Sequence, residues 1–190
     1  VILKIIKGNK IVNESVADED IEIITNQTPF YAESGGQVGD QGIIQNSNCK
    51  IVIKDTIKKM GDLHIHVGHV ERGTIKVEDN VNLLIDINKR NEIRAYHSAT
   101  HLLHESLRRV LGKHVTQKGS FVSSDKLRFD FSHNKPIEMK EIQMIENKVN
   151  DMIATSSEVR TRIMTPNEAV NKGALALFGE KYGDEVRVLS

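Results

Sequence analysis

The first 88 residues alternate between short apolar runs and polar turns. Ile2 to Ile6 and Ile11 to Val12 flank the turn Lys7 to Lys10, which predicts a β-hairpin. Further runs rich in Ile and Val follow at regular intervals, separated by Gly and Asn, and this spacing favours a small β-barrel or sandwich over residues 1–88. The further runs are Ile21 to Thr25, Ile43 to Ile44, Ile51 to Ile53, Leu63 to Val70 and Val81 to Ile87.

From residue 89 the apolar spacing becomes helical. It predicts one long helix from Lys89 to Leu111, with Asn88 as its cap and Gly112 as its stop. The predicted fold class is therefore α+β, with a β part at 1–88 and an α/β part at 89–190. The later predicted elements are a strand pair (Gly119 to Val122 and Leu127 to Phe131), a helix from Pro136 to about Ala154 with Ile142, Ile145, Val149 and Ile153 inward, a strand from Glu158 to Met164, a short helix opened by the capping box Thr165 to Glu168, and a strand from Glu185 to Leu189.

The composition is that of an ordinary globular chain. Of 190 residues, 38% are hydrophobic, and no run approaches the ~20 apolar residues of a membrane span. Lys plus Arg and Asp plus Glu both number 26, which disfavours a general polycation for nucleic acid. Residues 86–131 nevertheless carry nine Lys or Arg against five Asp or Glu, which allows a local basic face. The single cysteine, Cys49, excludes an intrachain disulfide and predicts a reducing compartment. Both ends are expected to be cut from a longer protein.

Two groups of histidines are candidates for metal ligands. His97 and His101 are four residues apart on the long helix, so they share one face at the spacing with which two imidazoles bind one zinc. Ser98 stands where a zinc peptidase has glutamate, which argues against that class. The alternative is a pair of half-exposed histidines on a solvated face. His64 and His66 are predicted on a solvated strand face, without a third ligand.

A glycine-rich segment and a later polar segment are the other candidates. Four glycines within the eight positions Gly35 to Gly42 let the backbone pass close to a ligand or adopt positive φ. No Lys-Ser/Thr follows them, so a phosphate-binding P-loop is rejected, and a structured hairpin loop is the alternative. Gln117 offers an amide at the start of a strand. Arg128 and Asp130 share a strand face, where a surface ion pair is the plain interpretation.

Four motifs in this order resemble the editing domain of alanyl-tRNA synthetase. Each motif is weak alone, but the ordered set is specific and spans nearly the whole chain. Related free-standing deacylases share the first two motifs. The tail ALALFGEKYG at 174–183 fits as well. The motifs are TPFYAESGGQ (28–37), HSATHLL (97–103), HVTQKGS (114–120) and LRFDFSH (127–133).

The resemblance implies a cytoplasmic enzyme that hydrolyses tRNA(Ala) mischarged with serine or glycine, as part of a synthetase that also binds ATP. Its partners would be the acceptor end of that tRNA and the remainder of the synthetase. It implies a β-barrel at 1–88 and an editing core at 89–190, with the site between them. One zinc would be held by His97 and His101 plus a Cys and a His from a Cys-Gly-Gly-Thr-His motif beyond Ser190. The zinc site of this chain is therefore expected to be incomplete.

The resemblance also implies roles for pocket residues. Thr28 matches a threonine that senses the serine hydroxyl, and Gln117 matches a glutamine at the editing pocket. Gly35, Gly36 and Gln37 would line the pocket or the approach of the terminal adenosine. Whether zinc positions the aminoacyl group or activates a water stays open, and no general base stands out. Basic residues that could contact acceptor-stem phosphates, with an ordinary solvated face as the alternative, are Arg94, Arg108, Arg109, Lys113 and Lys118.

Three alternatives remain beside editing within the synthetase. The chain could be a tRNA-binding module that is inactive in this form, or a free-standing trans-editing deacylase. An unrelated zinc hydrolase would need a carboxylate near His97, and the sequence offers none between the two helix histidines.

Overall fold

A computed structural model describes residues 1–174 and 183–189. The chain forms two compact units, one of Val1–His101 with Lys118–Phe131 and one of Leu102–Gln117 with Ser132–Ser190. The long helix and one strand therefore contribute residues to both units. Most of the predicted 174–183 motif, residues 175–182, lies outside the described residues. The division into domains at residues 88 and 89 stays a prediction.

An antiparallel sheet with an isoleucine-rich core is the frame of the first unit. The strand order is β2-β1-β4-β7-β6-β5-β8, and β3 also pairs with β7. Ile5, Ile23, Ile44 and Ile51 are fully buried, and each contributes about 1.5–3 kcal/mol through apolar burial. The strands are β1 (Ile2–Lys7), β2 (Lys10–Val12), β3 (Glu14–Val16), β4 (Asp20–Thr25), β5 (Gly42–Gln45), β6 (Cys49–Lys59), β7 (Leu63–Lys76) and β8 (Asn82–Ile85).

The sheet is open, so the predicted closed barrel is wrong. Among the described residues, no ladder joins the edge strands β2 and β8. The reason lies in β7, which pairs with β4 through His66–His69 and with β3 through Thr74–Lys76. Between these segments Gly73 has φ +82°, and a Cβ there would lie 1.8 Å from the Asn48 carbonyl oxygen. The long strand β7 therefore pairs with β4 and β3 in succession along its length.

The helix α1 (Ile87–Leu111) carries the two candidate histidines. Its start differs from the prediction, because the Asp86 carboxylate accepts the backbone N–H groups of Asn88 and Lys89, both at 3.1 Å. Asp86 therefore satisfies the free donors of the first turn, and Asn88 lies inside the helix. The predicted stop is confirmed, since Gly112 follows the last helical residue with φ +119°. None of the described helices has the length and apolar character to cross a membrane.

The remaining elements follow the sequence pattern with two corrections. The second helix begins at Met139 rather than at Pro136, because Glu138 precedes it and donates its N–H to the Glu141 side chain at 2.9 Å. On its predicted inward face Ile145 is buried, but Ile142 and Ile153 are exposed. The predicted capping box of the third helix is confirmed. These elements are β9 (Gln117–Val122), β10 (Leu127–Phe131), α2 (Met139–Thr155), β11 (Thr161–Met164), α3 (Pro166–Asn171) and β12 (Val186–Leu189).

Candidate functional site at the Thr28–Gly42 loop

The loop between β4 and β5 is anchored to the first turn of α1 by a buried ion pair. Arg90 donates from Nε to Asp40 Oδ1 at 2.8 Å, its Nη2 bonds the other carboxylate oxygen, and Nη2 also donates to the Pro29 carbonyl at 3.0 Å. Asp40 is only 2% exposed and also accepts the Tyr31 N–H at 2.6 Å. The hydrogen bonds that Arg90 donates to Asp40 raise the pKa of Arg90 above its usual value. This one guanidinium therefore holds both ends of the loop.

A second anchor joins the loop to the histidine pair. His97 Nδ1 lies 2.6 Å from Gln37 Oε1, and Gln37 is 8% exposed. If the amide oxygen accepts, Nδ1 carries the ring proton, which leaves the Nε2 lone pair of a neutral His97 available. Burial, and secondarily the nearby His101, lower the pKa of His97 below its usual value. Because Arg90 and His97 are seven residues apart, the two anchors are about 10 Å apart along the helix axis.

The two helix histidines form a stacked pair on α1. Their ring centroids are 5.1 Å apart and their planes differ by 19°. His97 is half-buried and His101 is exposed. Imidazoles at this spacing suit zinc, so the donor chemistry fits, but they make only two of its usual four ligands. Within the described part of the chain no three His, Cys, Asp or Glu residues gather into a metal site.

Cys49 is excluded as a metal ligand by its position in the fold. It is 1% exposed and packs in the isoleucine core of the first unit. Burial raises the pKa of its thiol above the usual value, which disfavours the thiolate that a metal needs.

Three loop positions require glycine, either because φ is positive or because a neighbouring backbone lies too close for a Cβ. Gly35 and Gly36 have φ of +59° and +82°. A Cβ on Gly36 would lie 2.3 Å from the Ser120 carbonyl oxygen, and one on Gly39 would lie 2.1 Å from that of Thr56. The Gly36 carbonyl accepts the Val122 N–H at 2.8 Å, which fixes the loop against β9. The expected positive φ is confirmed at Gly35 and Gly36, and the close approach to a ligand stays a prediction.

Thr28, at the start of the loop, is hydrogen-bonded to a histidine that the sequence analysis misplaced. Thr28 Oγ1 lies 2.8 Å from His66 Nε2. His66 is 0% exposed, so its prediction as a solvated strand residue is wrong. His66 is in phase with the buried Gly68 and Val70 on β7, and the off-phase Ile65 is buried as well. The alternation of His66 with Val70 was the signal available in the sequence, whereas the opposing Ile23 and the partner Thr28 are known only from the fold.

A cavity of about 340 Å³ lies beside the loop. Its wall mixes charges of both signs, including Glu33, Lys54, Asp55, Lys89 and Asp125. Neither Thr28 nor His97 lines it. The cavity is therefore not a pocket that Thr28 and His97 share.

The other predicted site residues belong to several environments. Gln117 is half-buried at the start of β9, within the second unit. Arg108 donates to the carbonyls of Lys113 and Val115 at 3.0 and 2.9 Å, so it terminates α1. Arg109 pairs with Glu105 one turn earlier on α1 at 2.7 Å. Arg94, Lys113 and Lys118 are exposed, as a phosphate contact requires, but their role stays a prediction.

Comparison with known proteins gives a consistent assignment. The family model described as tRNA synthetases class II (A) matches residues 1–89. The chain is 57% identical over 180 residues to alanine--tRNA ligase of Parvibaculum lavamentivorans, covering 94% of this chain and 20% of that protein. Identities of 52% to the ligase of Chelativorans sp. and 53% to that of Rhodopseudomonas palustris extend over all 190 residues and 21% of each relative. The chain thus spans about a fifth of the length of these relatives.

Proposed function

Because the chain is 52–57% identical to alanine--tRNA ligases over all or nearly all of its length, we propose that it is the editing part of such a ligase. It hydrolyses the ester of tRNA(Ala) mischarged with serine or glycine, and it acts in the cytoplasm with the rest of the synthetase. The observation that carries this proposal is the hydrogen bond between Gln37 and His97. That bond brings together the TPFYAESGGQ loop and the HSATHLL helix, the two motifs that the synthetase resemblance shares with free-standing editing deacylases.

The chemistry of alanine selection explains why such an activity is needed. A pocket that accepts alanine cannot exclude glycine by size, and it rejects serine poorly because serine adds only one hydroxyl. A second site must then hydrolyse the wrong ester. Selectivity for serine follows when that site offers the hydroxyl a hydrogen-bond partner that alanine leaves unpaired.

Each candidate residue has a distinct part in this proposal. Thr28 binds the serine hydroxyl, and the Gly35–Gln37 segment forms the wall along which the aminoacyl end lies. Gln117 contributes a polar contact at the pocket. His97 and His101 would hold a zinc, which when bound would polarise the ester or its attacking water. Gln37 keeps the His97 ring oriented for that purpose, as second-sphere partners do.

Recognition of the tRNA itself is assigned to exposed cations. Arg94, Lys113 and Lys118 are free to reach acceptor-stem phosphates, whereas Arg108 is engaged with backbone carbonyls. Phosphate contacts make binding salt-dependent, so charge reversal at a true contact lowers the slope of affinity against salt.

A second candidate function is a tRNA-binding module without turnover. It is favoured by the donor set, because two imidazoles alone leave half of a tetrahedral zinc shell unfilled. This candidate and the editing proposal differ in whether the bound ester is cleaved.

The test compares deacylation of Ser-, Gly- and Ala-tRNA(Ala) by the full-length ligase in which we propose the chain lies. We expect Ser-tRNA(Ala) to be hydrolysed fastest, and Thr28→Val to lower the serine-over-alanine ratio of kcat/KM by about 10-fold, the value of one hydrogen bond. Thr25→Val is the matched control, because the Thr25 hydroxyl donates locally to the Gln27 carbonyl. Equal wild-type rates for Ser- and Ala-tRNA(Ala) would reject editing, and binding without hydrolysis would support the second candidate.

A further inference from the structure

His66 has a complete set of partners in a fully buried position. It lies on β7, where its Nδ1 is 3.1 Å from the Ile23 carbonyl oxygen and its Nε2 is 2.8 Å from Thr28 Oγ1. Its ring also meets Phe30 edge to face, with centroids 5.2 Å apart. The side chain is 0% exposed, so both ring nitrogens depend on these protein partners.

The partners determine where the ring proton is. A carbonyl oxygen can only accept, so Nδ1 must carry the hydrogen and donate it to Ile23. Burial lowers the pKa of His66 below its usual value, which favours the neutral ring. A neutral imidazole has one N–H, so Nε2 is an acceptor. The Thr28 hydroxyl must then donate its hydrogen to Nε2.

This arrangement restricts what Thr28 can do for a ligand. A hydroxyl has one hydrogen and two acceptor lone pairs. The hydrogen is used by His66, and one lone pair accepts the Phe30 N–H at 3.0 Å. One lone pair remains, and the described residues provide no further donor to it. Thr28 is half-buried rather than fully buried, so a ligand can reach it.

We propose that His66 is a positioning residue that makes Thr28 a pure hydrogen-bond acceptor, so that the site selects aminoacyl esters whose β-substituent donates a hydrogen. This inference rests on the proposed editing function and adds the direction of the decisive hydrogen bond. A serine hydroxyl donates and is accepted. The β-oxygen of O-methylserine accepts only, and it would face another acceptor. Glycine has no such group, so its hydrolysis does not depend on the Thr28–His66 pair.

The first test measures the tautomer directly and needs no editing activity. Full-length ligase labelled with ¹⁵N in its histidine rings is measured by solid-state NMR, and His66→Gln identifies the His66 signals by difference. We expect a neutral ring protonated at Nδ1, with Nε2 at the shift of an unprotonated acceptor. A ring protonated at Nε2 would overturn the inference whether or not the protein edits.

The second test separates positioning from structural support by substrate. His66→Phe keeps a planar ring and removes the acceptor, and we expect about a 10-fold loss of kcat/KM for Ser-tRNA(Ala) with Gly-tRNA(Ala) unchanged. His66→Gln can present its amide oxygen near the former Nε2 and should restore most of the loss. His64→Phe is the matched control on the same strand, where the side chain is not buried.

The outcomes of this test are distinguishable from failure of the editing proposal. Equal losses for serine and glycine esters in His66→Phe would overturn the positioning role, because a structural defect affects both substrates alike. Hydrolysis of O-methylseryl-tRNA(Ala) as fast as the serine ester would also overturn it. Absence of Ser-tRNA(Ala) hydrolysis in the wild type, with the expected tautomer present, would reject editing and leave the hydrogen-bond direction standing.

Discussion

Two histidines of the first unit, His66 and His97, contact the Thr28–Gly42 loop. They differ in burial and in how many of their ring nitrogens have a hydrogen-bond partner. His66 is 0% exposed and has a partner at both ring nitrogens. His97 is half-buried, bonds Gln37 through Nδ1 and stacks on the exposed His101. Both rings have a pKa lowered chiefly by burial.

The difference follows from the cost of burying polar atoms. A buried nitrogen without a partner costs about 1–3 kcal/mol, so a fully buried imidazole persists only where the fold satisfies both nitrogens. A half-exposed ring can leave one nitrogen to water or to an incoming group. Both ring nitrogens of His66 therefore have partners within the protein, whereas Nε2 of His97 can still take a ligand.

The largest expected effect comes from removing the anchor that lies between the two regions. Arg90→Ala leaves the Asp40 carboxylate buried without its cation and frees Pro29, next to Thr28. We expect the free energy of unfolding to fall by about 3–5 kcal/mol, as for other broken buried ion pairs. Urea unfolding of the chain followed by circular dichroism measures this change.

Lys89→Ala is the control for that substitution. Lys89 precedes Arg90, and its ammonium bonds Gln41 at the surface, so its loss should cost less than about 1 kcal/mol. Equal destabilisation by the two variants would mean that the ion pair does not hold the loop.

A smaller effect is expected from a substitution that disturbs the histidine pair on α1 and leaves the Thr28–His66 hydrogen bond unchanged. Gln37→Leu removes the oxygen that orients His97, so we expect Zn²⁺ or Co²⁺ affinity of the full-length protein to weaken about 10- to 100-fold. Titration calorimetry measures this, with Gln45→Leu on β5 as the control. Unchanged affinity would show that the loop does not orient the ring.

The smallest expected effect is the contribution of His66 to the pH dependence of the free energy of unfolding. The folded-state pKa of His66 lies below its ordinary value of 6.5, so the unfolded chain binds a proton more readily. The stability that His66 contributes is present above pH 6.5 and is lost as pH falls below it, by at most about 1.4 kcal/mol per pH unit for one proton. Unfolding measured between pH 7.5 and 5 should depend less on pH in His66→Gln. A profile parallel to the wild type would contradict the depressed pKa.

The sequence pattern was sufficient to predict turns and helix ends, because these depend on residues that are close together in the chain. The first hairpin pairs Ile5 with Val12 as expected, Gly112 ends α1, and Thr165 with Glu168 caps α3. Each depends on residues a few positions apart, where turn and cap chemistry act directly. The resemblance to alanyl-tRNA synthetase, which also depends on residue identity and order alone, is confirmed by 52–57% identity to alanine--tRNA ligases, and the editing role stays a proposal.

Contacts between distant segments are where sequence reasoning failed. The expected barrel is an open sheet, because β7 shares its length between β4 and β3. His66 is buried on the face of β7 that it shares with Gly68 and Val70, and its partner Thr28 lies 38 residues away. The burial of His66 follows the alternation with Val70, but the pairing with Thr28 leaves no periodic signal in the strand.

The sequence by itself determined most of the elements, the i, i+4 histidines and the resemblance to alanyl-tRNA synthetase, because these depend on residue type and short spacing. Tertiary structure alone decided that Arg90 anchors the loop, that Gln37 lies against His97 and that Thr28 lies within hydrogen-bond distance of His66. The physical reason is that a hydrogen bond's direction is set by the full set of partners around each atom. Those partners are assembled only when segments far apart in the chain pack together.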